Sequence, residues 1–425
     1  MRSTGRFTCN GGRAVRRRRR RVSRATEDRC RTPDGALLSD RVPLLDRARE
    51  RLADLDAGQL RRRLVELEGP TGPTVIVGGR ELICLASNDY LGLARDPSIA
   101  AAVADGARRW GSGAGASRLV TGHLRVHREA EEALARWVGL PAALVFSSGH
   151  AANLGTLQTL LEDGDLVLSD ALDHASLIDG CRLSHARVQV FRHRDLGHLE
   201  ALLRAHRASA RTTLIVTDAV FSMDGVAADL PGLRALADRY DAALVVDEAH
   251  SLGVVGPEGR GLCAATGVSP DVLVGTLGKS LGLAGAFVAA APEIVELLVN
   301  RARSFVFSTA LAPPIAAAVP VAVERARNGD QLRTAVRERA EQLRAGLRRA
   351  DWPVASGQGP ILPVILGAAD AVLAAATALE ARGVLVRPIR PPTVAPGTAR
   401  LRVTITAAHD EALVARAIAA FAEAR

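Results

Sequence analysis

The sequence predicts an α/β protein, with a large, mostly parallel sheet covered on both faces by helices and a smaller α+β lobe after it. Three observations predict this. From about residue 97 to 300, short and almost wholly apolar runs alternate with helical stretches. Strands lacking polar alternation are buried on both faces, which is the pattern of a parallel sheet. Beyond residue 300 the pattern changes to a long Arg/Glu-laced helical stretch, then short strands around one more helix. Finally, 425 residues at 48% hydrophobic can bury a core large enough for two such parts.

In chain order, residues 41–67 space Leu44, Leu45, Leu52, Leu55, Leu60 and Leu64 at helical intervals among charges, predicting an amphipathic helix or two. Gly69-Pro70-Thr71-Gly72-Pro73 breaks that pattern. Apolar runs at 75–77 and 82–85 flank Gly78-Gly79 and predict a hairpin. Runs at 143–146, 166–168, 188–190, 214–216, 243–246, 272–274 and 286–289 supply the main sheet. A long helix is predicted around 320–350, followed by strands at 361–366, 384–386 and 401–405. The expected domains are a disordered arginine-rich extension (1–40), a helix and hairpin joining the small lobe (41–96), the large domain (97–300) and a C-terminal small domain (301–425).

The net charge of +9 suggests a polyanion partner until its position is considered. Residues 1–35 hold 12 arginines against Glu27, Asp28 and Asp34, which accounts for the whole excess and leaves the rest of the chain neutral. The tail reads as a solvated extension, and no specific nucleic acid is expected as a partner. No apolar region follows the arginines, so they are not a secretory signal, and no long apolar run predicts a membrane span. Five scattered cysteines (Cys9, Cys30, Cys84, Cys181, Cys263) form no C-x-x-C pair, so neither a zinc site nor a disulfide framework is expected, and a reducing cytoplasm is the simplest compartment.

Lys279 is the only lysine; every other basic residue of the 55 is arginine. Arginine carries charge as well as lysine does, but it cannot form a Schiff base, so a single retained lysine marks a place that needs an amine. In open α/β sheets ligands bind at the carboxyl ends of the strands. Those ends lead here into Ser147-Ser148-Gly149-His150, Asp173-His174-Ala175-Ser176, Thr217-Asp218 and Phe221-Ser222-Met223-Asp224-Gly225, Asp247-Glu248-Ala249-His250, and Thr276-Leu277-Gly278-Lys279. Pyridoxal phosphate (PLP) would use this whole set: an amine for its aldehyde, a buried carboxylate for its ring nitrogen, and a glycine-containing helix start for its phosphate.

Rival readings share some of these letters. Asp247-Glu248-Ala249-His250 spells a helicase box and Gly278-Lys279-Ser280 ends like a phosphate loop, but that loop needs glycine at 273, where Leu273 stands, and the two motifs come in reversed order. Gly111-Ser112-Gly113-Ala114-Gly115 follows a helical stretch rather than a strand and reads as a substrate-side loop. His123 and His127, an i, i+4 pair without a third ligand, read as surface residues, and no metal is expected. His193 and His198 read as solvated, and Asp224-Gly225 as a turn.

With these residues in view, the chain from about residue 40 to 425 resembles the α-oxoamine synthase family of fold-type-I PLP-dependent transferases. The matching segments, in order, are Ser87-Asn88-Asp89-Tyr90-Leu91-Gly92-Leu93, Gly115-Ala116-Ser117-Arg118, Asp173-His174-Ala175-Ser176, Val220-Phe221-Ser222-Met223-Asp224-Gly225, Asp247-Glu248-Ala249-His250, Thr276-Leu277-Gly278-Lys279 and Arg390-Pro391-Pro392-Thr393-Val394. The resemblance implies that Lys279 holds PLP and moves the substrate's α-proton, that His174 stacks on the ring, and that Asp247 pairs with the ring nitrogen. His250 and Ser222 would bond near the ring oxygen, and Thr276 with the backbone of Gly149 and His150 would hold the phosphate. Arg61 would bind a distal carboxylate on the acyl chain, Thr393 would be another substrate contact, and Arg390 would bind the amino acid carboxylate. Thr309, in Ser308-Thr309, would serve the neighbouring subunit's phosphate site, so a homodimer is implied. His150 stands where the family usually has phenylalanine or tyrosine, so the role there is expected of its backbone.

The implied reaction is condensation of L-alanine with a pimeloyl thioester, carried by CoA or by an acyl carrier protein that would then be a partner, with loss of CO2. The alternatives on the same scaffold use glycine or serine with other acyl-CoAs and make aminolevulinate, aminoketobutyrate or ketosphinganine. A non-catalytic binding protein on a degenerate scaffold would be expected to lack one of Lys279, Asp247, His250 or His174, and all four are present.

Overall fold

The computed structural model describes residues 43–357 and 359–425, so the expected extension over 1–40, with Cys9 and Cys30, lies outside the described residues. The chain divides into two units after Arg61. In the first, α1 (Leu44–Ala57) ends at Gly58, and Gln59 follows at φ 55°. The helical pattern expected to residue 67 therefore stops ten residues early, because a left-handed residue cannot continue an α-helix.

The second unit runs from Arg62 to Arg425. β1 (Thr74–Val77) and β2 (Arg80–Cys84) form the expected hairpin, turned by Gly78 and Gly79 at φ 56° and 70°. Two consecutive positive φ values match a two-residue turn to the twist of the strands, and glycine adopts them without strain. α2 (Pro97–Trp110) follows, with Asp96 accepting from the N–H groups of Ser98 and Ile99 at its start, and then α3 (Arg125–Val138).

The main sheet contains β3 (Ala142–Phe146), β4 (Leu166–Asp170), β5 (Arg187–Phe191), β6 (Thr213–Asp218), β7 (Ala243–Asp247), β8 (Val272–Thr276) and β9 (Ala286–Ala290). Its order is β3-β9-β8-β7-β6-β4-β5, and only β9 runs against the others. The crossovers carry α4 (Gly149–Leu160), α5 (Ala175–Leu183), α6 (Leu196–His206), α7 (Leu230–Arg239) and α8 (Leu262–Thr266), and α9 (Pro292–Arg301) and α10 (Arg303–Val306) follow β9. Every residue of β4, β6 and β9 is buried, as expected of strands covered on both faces.

The single long helix expected around 320–350 is two helices, α11 (Pro313–Arg327) and α12 (Asp330–Arg349), separated at Asn328-Gly329. The break has a packing cause. Ala318, Val319, Ala322 and Val323 of α11 are buried with Leu134 and Phe287 against the main sheet, whereas Val336, Ala340, Leu343 and Leu347 of α12 belong to a different core with Trp352, Leu401 and Phe421. One straight helix could not bury both stripes.

The last elements are β10 (Ile361–Gly367), α13 (Ala369–Ala381), β11 (Val384–Leu385), β12 (Arg387–Ile389), β13 (Ala399–Thr404) and α14 (Glu411–Glu423). β10, β13 and β12 form an antiparallel sheet in that order, and β11 adds to the hairpin by running parallel to β2.

Candidate active site

The carboxyl ends of β4, β6, β7 and β8 bring the predicted strand-end residues to one edge of the sheet. Asp247 ends β7 and is 5% exposed. Its Oδ2 accepts from Asn153 Nδ2 (2.7 Å) and its Oδ1 from the Ala249 N–H (2.9 Å). Asn153 lies one turn into α4 and donates also to Ser176 Oγ (2.8 Å), which meets His174 Nδ1 (2.8 Å). A continuous set of bonds therefore joins the β7 carboxylate to the His174 imidazole.

Lys279 follows β8, and its Nζ lies 2.9 Å from His250 Nε2. His250 Nδ1 lies 2.7 Å from the Tyr90 hydroxyl, which donates to Asn88 Oδ1 (3.3 Å). Burial pulls the Lys279 ammonium down from 10.5 to about 8, although Asp247 and Asp218 oppose the change; Arg402 adds to it. Burial also holds His250 well below its ordinary range, reinforced by Lys279, Arg402 and His174. A neutral His250 that accepts from Lys279 at Nε2 must carry its proton on Nδ1 and donate it to Tyr90. That is a route along which a proton at Lys279 can be held.

Ser148 caps α4, its hydroxyl accepting from the Ala151 N–H (3.1 Å), so the backbone N–H groups of Gly149 and His150 open the helix with no intrahelical acceptor. The exposed His150 side chain leaves that backbone free of obstruction, and a Cβ added at Gly149 would meet nothing within 4 Å. Thr276 Oγ1 bonds Gly285 O and the Gly278 N–H, each at 3.2 Å. The Ser222 carbonyl accepts from Arg402 Nε (2.6 Å). Thr309 is exposed and bridges to Ser117 in the same chain.

Arg61 belongs to the first unit, where it pairs with Asp56 at 2.5 Å. In the second unit the neighbouring Arg62 donates to Thr393 Oγ1 (3.0 Å). Arg390 is buried, and burial with the nearby Arg62 and Arg387 lowers its pKa, so three guanidiniums crowd one place.

Several expectations are corrected. His127 is not a surface residue: it is fully buried, with Nε2 2.7 Å from Leu311 O and Nδ1 accepting from the Leu124 N–H. His193 and His198 are half-buried and engaged, the first at 2.8 Å from Asp170 Oδ1 and the second accepting from the Arg192 N–H. Among the described residues no His, Cys, Asp or Glu cluster could hold a metal. Glu248 is fully buried and accepts from Ser251 and from the N–H groups of Leu262 and Cys263, so it ties down a loop.

The sequence reading missed two residues. Asn153 had one available signal, its place one turn after Gly149 on the same helix. Arg402 is 7% exposed within β13, and it donates to Ser222 O, Asn88 Oδ1 (2.8 Å) and the Tyr90 hydroxyl (3.3 Å), all neutral acceptors. A charge inside the apolar run Leu401-Arg402-Val403 was the signal there, because a buried guanidinium without a carboxylate partner is costly unless a ligand supplies the anion.

This donor set fits PLP. The carboxylate is buried and anchored by two donors, the amine is held toward its neutral form, and a helix start with N–H groups to offer lies beside a hydroxyl-bearing strand end. The comparisons agree. The aminotransferase class I and II family model matches residues 80–421. An 8-amino-7-oxononanoate synthase from Anaeromyxobacter dehalogenans is 52% identical over 87% of this chain and 93% of its own. Among solved structures, a serine palmitoyltransferase from S. paucimobilis with bound PLP–myriocin superposes with TM-score 0.85 at 30% identity, covering 89% of this chain and 97% of that one. An 8-amino-7-oxononanoate synthase from Francisella tularensis superposes with TM-score 0.69 at 27% identity, covering 80% and 97%. The chain belongs to the aminotransferase class I and II family, in its α-oxoamine synthase branch.

Proposed function

We propose that this chain uses PLP to condense L-alanine with a pimeloyl thioester, giving 8-amino-7-oxononanoate, free thiol and CO2. When bound, PLP supplies an electron-withdrawing ring that stabilises negative charge at the amino acid's α-carbon. Lys279 Nζ would hold its aldehyde carbon and, once released, carry the α-proton, passing charge toward His250 rather than to water. Asp247, braced by Asn153 and Ala249, would keep the ring nitrogen protonated, and the His174 imidazole would cover the ring. The N–H groups of Gly149 and His150, with Thr276 and a partner subunit's copy of Thr309, would hold the phosphate, and Ser222 with His250 the ring oxygen.

Two arginines can serve the amino acid carboxylate. Arg402 lies close enough to Lys279 and His250 to shift both, and among the described residues its hydrogen-bond partners are neutral. Arg390 sits instead with Arg62 and Arg387, beside Thr393. We assign the amino acid carboxylate to Arg402 and leave Arg390 and Thr393 to the acyl chain's distal carboxylate. A homodimer is part of the proposal, supported by the exposed Leu119, Val120 and Phe307 beside Thr309. Among the described residues no helix is long and apolar enough to cross a membrane, and we place the reaction in the cytoplasm.

The observation that carries the chemistry is Lys279 against His250; the choice of substrates rests on the near-full-length likeness to 8-amino-7-oxononanoate synthases. The better backbone match to a serine palmitoyltransferase favours a second reading, with serine and a long acyl-CoA. Backbone match reports the scaffold, which sister activities share, so the sequence likeness weighs more. Release of free thiol from pimeloyl-CoA with alanine, glycine or serine decides. Release with alanine and a product of the expected mass supports the first reading; release with serine and palmitoyl-CoA alone supports the second.

A further inference from the structure

The proposed reaction gives Asp247 a task but leaves three buried carboxyl groups beside it, Asp170, Asp173 and Asp218, without one. Asp170 ends β4, Asp173 precedes α5, Asp218 ends β6, and Asp247 is the partner of Asp218 in the parallel ladder. All four are buried. Asp173 Oδ2 accepts from Ser169 Oγ (2.7 Å) and the Asp170 N–H (2.9 Å), and its Oδ1 accepts from the Asp218 N–H (3.2 Å). Asp170 takes the N–H groups of Leu172 and Arg194 and faces His193. The Asp218 carboxyl has one donor among the described residues, the backbone N–H of His174 at 2.7 Å.

A buried carboxylate with a single donor, set among three other carboxyls, is an expensive place for a charge. A neutral carboxyl costs far less there, and its carbonyl oxygen still accepts from His174. We propose that Asp218 is a positioning residue that, as a neutral carboxyl, pins the His174 backbone, and with it the imidazole. The Asp218 pin on the backbone and the Ser176 contact on the ring then fix His174 from two sides.

The charged groups facing Asp218 come from every neighbouring element: Asp247 on β7, Asp170 on β4, Asp173 and His174 before α5, and Lys279 after β8. Burial and then Asp247 push its pKa well up, against the His174 N–H and Lys279. Burial and then Asp218 push Asp173 up in the same way. The opposing lysine is itself held toward its neutral form.

The experiment compares D218N and D218A, as apoprotein and with PLP added. Asparagine keeps a neutral carbonyl acceptor, so D218N should take up PLP, followed by its visible absorbance, within about twofold of the parent. D218A loses the acceptor and should bind PLP about tenfold more weakly. A carboxyl whose folded pKa is raised contributes stability below its unfolded value, and loses it as pH rises through the folded value. Asparagine cannot ionise, so the melting temperature of D218N relative to the parent should rise from pH 5 to pH 9, whereas a merely structural role would shift it equally at every pH. A D218N as impaired in PLP uptake as D218A, or a relative melting temperature that stays flat or falls with pH, would overturn the proposal. If D218N does not fold, D218A decides by the same slope, since alanine cannot ionise either, rising in support and flat against. The inference rests on the PLP reading only for the task of His174; melting of the apoprotein needs no substrate, so failure of the alanine assignment would leave this test intact.

Discussion

Lys279 combines two properties that single residues rarely share: it is the chain's only primary amine on a side chain, and it is half-buried against a neutral imidazole. Lys279→Ala should fold, show no PLP-linked absorbance and release no thiol above background; a turning-over variant would remove the cofactor assignment. The amine also makes a pH prediction about stability. Its folded value of about 8 lies below the ordinary 10.5, so the folded state is penalised while the amine is charged, and that penalty fades as pH rises from about 8 to 10.5. Apoprotein carrying Lys279→Met should therefore be more stable to urea unfolding than the parent at pH 7, by up to about 3 kcal/mol, and the gap should close toward pH 10. The residues legible in sequence were those whose chemistry is rare in their setting: a lone lysine, and acids and imidazoles ending apolar strands. Asn153 was legible only through its place one turn after Gly149, because an asparagine in a helix acquires its role only when the helix start lies over Asp247.

At the scale of the element, two connections set the site. The turn after Lys279 is closed by the Gly282 N–H donating to Lys279 O (2.9 Å), with Gly282 at φ 65°. A Cβ at 282 would collide with the Leu93 and Ala94 backbone, which cannot retreat as a side-chain tip could. Gly282→Ala should cost about 2 kcal/mol or more in urea unfolding and weaken PLP uptake, since the same turn aims the amine. The helix α4 shows the opposite case, in which a sequence signal transferred directly. Ser148-Gly149-His150 after an apolar strand predicts a capped helix start, and the structure has one. The failure at 320–350 is as instructive, because periodicity alone continues across Asn328-Gly329 and only the two separate cores require a break.

At the scale of the molecule, the site depends on segments far apart in sequence. Arg402 on β13 reaches Ser222 after β6 and Asn88 and Tyr90 after β2, while its neighbour Arg400 pairs with Asp224. Arg402→Lys keeps the charge but loses the planar fork, and should raise the KM for alanine about tenfold or more in the thiol-release assay. Loss of melting temperature without a change in KM would make Arg402 a purely structural tie. Charge at this scale is separable from chemistry, since residues 1–35 account for the net +9. Deleting residues 2–35 should abolish retention on a cation exchanger and leave kcat with alanine within about twofold.

The sequence by itself determined the sheet, the strand-end chemistry and the need for an amine, because strand burial and rare residue types are local properties written in the order of side chains. Only the tertiary structure decided that His127 is buried, that Arg62 meets Thr393, that Arg402 enters the site, and that Asp218 holds His174. Each of those depends on which distant segment arrives beside a residue. Burial, desolvation and hydrogen-bond partners are set by that neighbour, and no periodicity along the chain encodes it.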